Sequence, residues 1–203
     1  MLHLAAQEGC LNICKFILEN VDDKKFLDDG GCTPLYRAAQ FGHVEVCKLL
    51  LNHLEDKNLG NNEGITPLYT AALNGHIEVY KVLMDVVADK NPRNISHFGN
   101  TPLHGAAYKG HLDICELIVK YASDKNPIRN DRKAPLHIAS ISGHLEVCKL
   151  LIEKASEKNP RDNFGNTPVS LAKKNNHFEI ATFITKYLAN QNFQANQSLT
   201  ASG

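Results

Sequence analysis

The chain of 203 residues has no tryptophan, no net charge and no long apolar run. The last two absences each remove a class of function. Lysine plus arginine equals aspartate plus glutamate at 22 each, so there is no electrostatic footprint for nucleic acid or an anionic membrane. No apolar stretch approaches the ~20 residues that a membrane helix needs. The opening "MLHLAAQEGC" lacks a basic region followed by a long apolar one, so it does not read as a signal peptide. No phosphate-binding loop, no H-E-x-x-H and no G-x-S-x-G occurs, which leaves hydrolytic chemistry without its usual residues. The length suits one globular core, and equally an array of small units.

What is present is a period. "TPLY" begins at Thr33 and Thr66, "TPLH" at Thr101, "APLH" at Ala134 and "TPVS" at Thr167, in steps of 33, 35, 33 and 33. "GH" recurs at Gly42, Gly75, Gly110 and Gly143 and becomes "NH" at Asn176. His3 lies 33 before Tyr36, so "MLHLAA" is an earlier copy without its beginning. The copies divide as 1–32, 33–65, 66–100, 101–133, 134–166 and a capping unit at 167–188, followed by 189–203.

The period decides between metal site, thiol catalyst and packing. His111 and Cys115 lie four apart, on one face of a helix. Yet Cys14, Cys47, Cys115 and Cys148 share one repeat position, which Tyr80 and Ala181 fill elsewhere. A position that accepts Cys, Tyr or Ala is an apolar packing site, where free cysteine acts as a small hydrophobe. Stacked helices lie ~8–10 Å apart, too far for neighbouring copies to converge on a zinc ion. A nucleophilic cysteine would need a lowered pKa and an oriented base, and these sit among Val, Ile and Leu. The histidines form two further columns: His43, His76, His111, His144 and His177, then His3, His104 and His137. No catalytic residue, metal ligand or cofactor site is expected.

One unit, "TPLHGAAYKGHLDICELIVKYASDKNP", predicts a helical hairpin. Thr101 is a good N-cap and Pro102 suits the first helical position. Gly110 can end that helix in the left-handed conformation. Leu112, Ile114, Cys115, Leu117 and Ile118 then form the apolar stripe of a second helix. A single hairpin cannot bury its faces, and stacked copies can.

The motif T-P-L-H-x-A at a period of 33 resembles the ankyrin repeat. The resemblance runs from residue 1 to about residue 188 and implies an all-α repeat solenoid, with antiparallel helix pairs and projecting β-hairpin fingers. It also implies that Thr101/His104 and His137 bridge neighbouring loops by hydrogen bonds. Three departures stand out. Tyr36 and Tyr69 replace the motif histidine and Ala134 the threonine, so those bridges should be altered or lost. The second helices lack the glycine that would cap them. Arg132 replaces the tip glycine found at Gly31, Gly64, Gly99 and Gly165, so that finger should turn differently. The finger before Thr101 is two residues longer than the one ending at Asn166.

At the ends, Lys173 opposes burial under a further copy, as a terminal repeat requires. The polar segment 189–203 carries no pattern and is expected to be disordered. The abrupt first copy suggests a fragment, or the tail of a longer array.

By the same resemblance, function lies on the surface and is protein binding. The positions implied are Gln40, Phe41, Leu73, Asn74, Tyr108, Lys109, Ile141 and Ser142 before the Gly-His, and Ile65, His97, Phe98, Lys133 and Phe164 on the fingers. Leu73, Tyr108 and Ile141 make an apolar stripe between polar ends, which suits a protein interface if it faces solvent. The expectation is a monomeric, intracellular, cytoplasmic, non-catalytic module for a protein partner, with no nucleic acid and no membrane insertion. The alternative is a regulatory or targeting segment of a larger enzyme or channel.

Overall fold

A computed structural model of the chain describes residues 1–21, 26–94 and 98–200, with only the main chain described at 195–200. The described helices come in pairs: α1 (Leu2–Gln7) with α2 (Leu11–Asn20), α3 (Pro34–Phe41) with α4 (Val44–Leu51), and α5 (Pro67–Asn74) with α6 (Ile77–Val86). There follow α7 (Pro102–Lys109) with α8 (Leu112–Tyr121), α9 (Pro135–Ser142) with α10 (Leu145–Lys154), and α11 (Pro168–Lys174) with α12 (Phe178–Thr200). The first helices stack on one another in one layer and the second helices in another. No strand occurs among the described residues, where the finger tips are tight turns and the expected β-hairpins are not confirmed. Their tips close in one or two bonds, as in Asn61 N–H to Ile65 O at 3.0 Å and Gly64 N–H to Asn61 O at 2.7 Å. That is too few for a ladder.

The helix α5 starts where two side chains supply acceptors. Thr66 Oγ1 accepts from Tyr69 N–H at 3.2 Å, and Asn58 Oδ1, from the preceding linker, accepts from Leu68 N–H at 3.0 Å. Pro67 occupies the first helical position, where its missing N–H costs nothing. The helix ends at Gly75, with φ of 78°. An added Cβ there would lie 2.5 Å from the His111 ring, so glycine meets both a left-handed backbone and a close approach.

Helices α4, α6 and α10 solve the missing glycine differently. Lys57 Nζ donates to Leu51 O at 2.6 Å and Leu54 O at 3.3 Å. Lys90 Nζ donates to the carbonyls of Met84 and Val87, and Lys158 Nζ to Glu153 O. A cation thus sits at the negative end of the helix dipole and satisfies its free carbonyls.

The core lies between the layers. The cysteine column is buried, with Cys14, Cys47, Cys115 and Cys148 beside Tyr80 and Ala181. Val46, Val79, Ile114, Val147 and Ile180 form a parallel column, each 2% exposed or less, yet Ile13 at the same position in the first copy is 52% exposed. Lys173 is exposed on the last copy. The segment expected to be disordered from residue 189 is helical through Thr200. Nothing between Phe178 and Thr200 breaks a helix, since glycine and proline are both absent there.

Candidate functional site

The histidine columns fix the surface. His76 Nε2 donates to Gln40 O at 3.0 Å, His111 Nε2 to Leu73 O at 3.2 Å, His144 Nε2 to Tyr108 O at 3.0 Å and His177 Nε2 to Ile141 O at 3.0 Å. Every carbonyl of the predicted column is therefore held by the following repeat, while the side chains stay outside this ladder. Phe41 and Tyr108 are 48% and 54% exposed. Gln40, Leu73, Ile141 and Ser142 are half-buried, and Asn74 and Lys109 exposed. The stripe is thus only partly exposed, with Phe41 and Tyr108 standing proud. The Asn74 side chain lies along its own helix, donating to Thr70 O at 2.9 Å.

The motif histidines bridge fingers. His104 Nδ1 accepts from Thr101 N–H at 3.2 Å, and its Nε2–H donates to Lys133 O at 3.1 Å. Burial pushes the His104 pKa down to about 3, so the ring is neutral and the tautomer is set by its two partners. His137 keeps both bonds despite Ala134: Ala134 N–H to Nδ1 at 3.0 Å, and Nε2–H to Asn166 O at 3.2 Å. That bridge loses only the hydroxyl. Tyr36 and Tyr69 are buried instead. The Tyr69 ring lies where a side chain on Gly105 would stand, 3.3 Å from an added Cβ.

The fingers form a second surface. Consecutive fingers are joined by Asn62 N–H to Gly30 O, Asn130 N–H to Phe98 O and Asn163 N–H to Asp131 O, all at 3.0 Å. Ile65 is half-buried, and His97 lies outside the described residues. Phe98 is 55% exposed and Phe164 81% exposed. The Arg129 guanidinium sits 4.9 Å from the centre of the Phe98 ring, and Lys133 Nζ 5.9 Å from that of Phe164. Lys133 is committed to Asp131 at 2.9 Å and Asp162 at 3.5 Å. Burial works to raise the Asp131 carboxyl, but the Lys133 hydrogen bonds and the Arg129 charge outweigh it and hold it below its ordinary value. Sequence reasoning passed over Arg93, Arg129 and Arg161. The signal was the recurrence of a base on three consecutive fingers.

Arg132 overturns the expectation of a different turn. Its φ is 62°, beside 71° at Gly31 and 76° at Gly165, and its N–H closes on Arg129 O at 3.0 Å. The tip keeps the glycine geometry and carries the strain of a side chain there.

Burial pushes the Cys47, Cys115 and Cys148 thiols up to about 12, so they stay protonated and inert. Among the described residues no three of His, Cys, Asp and Glu gather as a metal site. A furrow of about 650 Å³ runs from Glu55 to Pro92 between two linker turns, and is open to solvent.

No curated protein matches the chain. The family model for ankyrin repeats (3 copies) matches residues 2–94 and again residues 86–162. With most of its length matched in this way, the chain belongs to the ankyrin-repeat family.

Proposed function

We propose that the chain is a non-catalytic module that binds another protein through its concave groove and its fingers. Ankyrin repeats are generally protein–protein interaction modules, and their fold is typically non-catalytic. The observation that carries the reading is the histidine ladder. It pins the main chain at Gln40, Leu73, Tyr108 and Ile141, and leaves their side chains to differ from copy to copy. A rigid row of this kind binds at low entropic cost. Phe41, Tyr108, Phe98 and Phe164 then supply the aromatic anchors common at interfaces, with Ile65, Asn74, Lys109, Lys133 and Ser142 as further contacts. No helix among the described residues is long and apolar enough to cross a membrane. We place the module in the cytoplasm, as a monomer, where its free cysteines stay reduced.

Affinity capture from lysate, read by mass spectrometry, tests this. The native chain is compared with Leu73→Glu/Tyr108→Glu/Ile141→Glu, its helicity checked by circular dichroism. A protein retained by the native chain and lost by the folded variant supports the groove. If the native chain retains nothing, the proposal fails.

A further inference from the structure

We infer that fingers three to five, from Phe98 to Phe164, form a docking surface for an extended acidic segment that carries apolar side chains, with Arg132 at its centre. The inference rests on the protein-binding reading and adds the chemistry of the partner.

The row of fingers is polarised although the whole chain is neutral. The first two tips carry Asp28, Asp29 and Glu63; the next three carry Arg93, Arg129, Arg132, Lys133 and Arg161 against Asp131 and Asp162. Both of those carboxylates are turned to internal work. Asp162 has no exposed side-chain surface; it accepts from Phe164 N–H at 2.9 Å and Asn166 N–H at 2.8 Å. Asp131 accepts from Lys133 N–H at 3.2 Å and pairs with Lys133 and Arg129. Arg93, Arg132 and Arg161 remain exposed; Arg93 donates to Asn130 Oδ1 and Ile128 O and Arg161 to Gly165 O, all neutral acceptors that leave the charges uncancelled. The outer surface is therefore cationic, with its counter-charges beneath it.

Two exposed phenylalanines flank this charge, each with a cation over its ring. The cations occupy ring faces on which nucleic-acid bases would stack. That arrangement favours apolar side chains of a peptide against the ring edges, with carboxylates on the guanidinium groups. At ~10 Å between stacked units, three fingers span about eight extended residues.

Arg132 is the strongest single pointer. It keeps a left-handed φ of 62° where the other tips use glycine. It is exposed, and its side chain makes no bond among the described residues. A strained residue with no internal partner contributes nothing to the fold that glycine would not.

The test is fluorescence anisotropy with a labelled peptide of alternating glutamate and leucine, about eight residues long as the span requires. Comparison probes are the lysine-for-glutamate peptide, an all-glutamate peptide and an oligothymidylate. The native chain should bind the Glu-Leu peptide best. Arg132→Gly and Phe98→Ala/Phe164→Ala should each weaken it about tenfold, as one lost charge-assisted or aromatic contact does. Arg132→Gly should melt no lower than the native chain. Equal binding by Arg132→Gly, equal binding of the lysine peptide, or preference for the all-glutamate peptide or the oligothymidylate would overturn the inference. A captured protein lost by the groove variant and kept by both finger variants would overturn it and leave the proposed function standing.

Discussion

Gly42 carries two constraints at once. Its φ is 83°, and an added Cβ would lie 2.7 Å from His76 Nδ1. Gly165 has a similar φ of 76° with nothing within 4 Å. Gly165→Ala should therefore cost ~1–2 kcal/mol for the backbone alone. Gly42→Ala should cost at least ~1 kcal/mol more, because the ring that holds the ladder must move. Urea unfolding of the two variants measures the difference. His104 gives a pH dependence. Its pKa falls from 6.5 to about 3 on folding, so between these values the unfolded chain binds the extra proton. Its contribution is present above pH 6.5 and lost as pH falls, at about 1.4 kcal/mol per unit. Melting temperatures from pH 7 to 4 should drop less steeply in His104→Gln than in the native chain; parallel curves would refute the neutral bridge.

At the scale of the element, the second helices show how a missing glycine is replaced. Lys57, Lys90, Lys125 and Lys158 share one repeat position. Lys57 bonds two carbonyls at the end of α4, whereas Lys125 is exposed and bonds nothing among the described residues. Lys57→Met should cost ~0.5–2 kcal/mol and Lys125→Met close to nothing. Chemical denaturation of both distinguishes a capping role from a merely solubilising one. The first helices were legible in the sequence because Thr-Pro starts and Gly ends are local signals. The lysine caps were not, since a side chain reaching three to six residues back leaves no mark in apolar periodicity. The form of the fingers was not legible for a related reason. Turn residues announced a reversal, but strand pairing depends on how many bonds the reversal leaves room for, and here it leaves one or two.

For the whole molecule, the repeat period alone marks the positions that form the core. The cysteine and valine columns are buried in every inner copy because stacking treats equivalent positions alike. Exposure at the surface positions was not legible: Leu73 and Ile141 share a column with Tyr108, and only Tyr108 stands out. That difference depends on the neighbouring helix, with Leu73 leaning over Gly105. The same logic makes the first copy the weakest part of the array, with Ile13 exposed where its five counterparts are covered. Native-state hydrogen exchange should show α1 and α2 exchanging faster than α5 through α10; uniform protection would contradict this. The central claim is that a partner protein seats on the concave row and the fingers. Hydrogen exchange of the chain with and without its captured partner tests it most directly. The account predicts new protection in the last turns of α3, α5, α7 and α9 and in the fingers from Phe98 to Phe164. Protection confined to α4, α6, α8 and α10, the opposite layer, would contradict it.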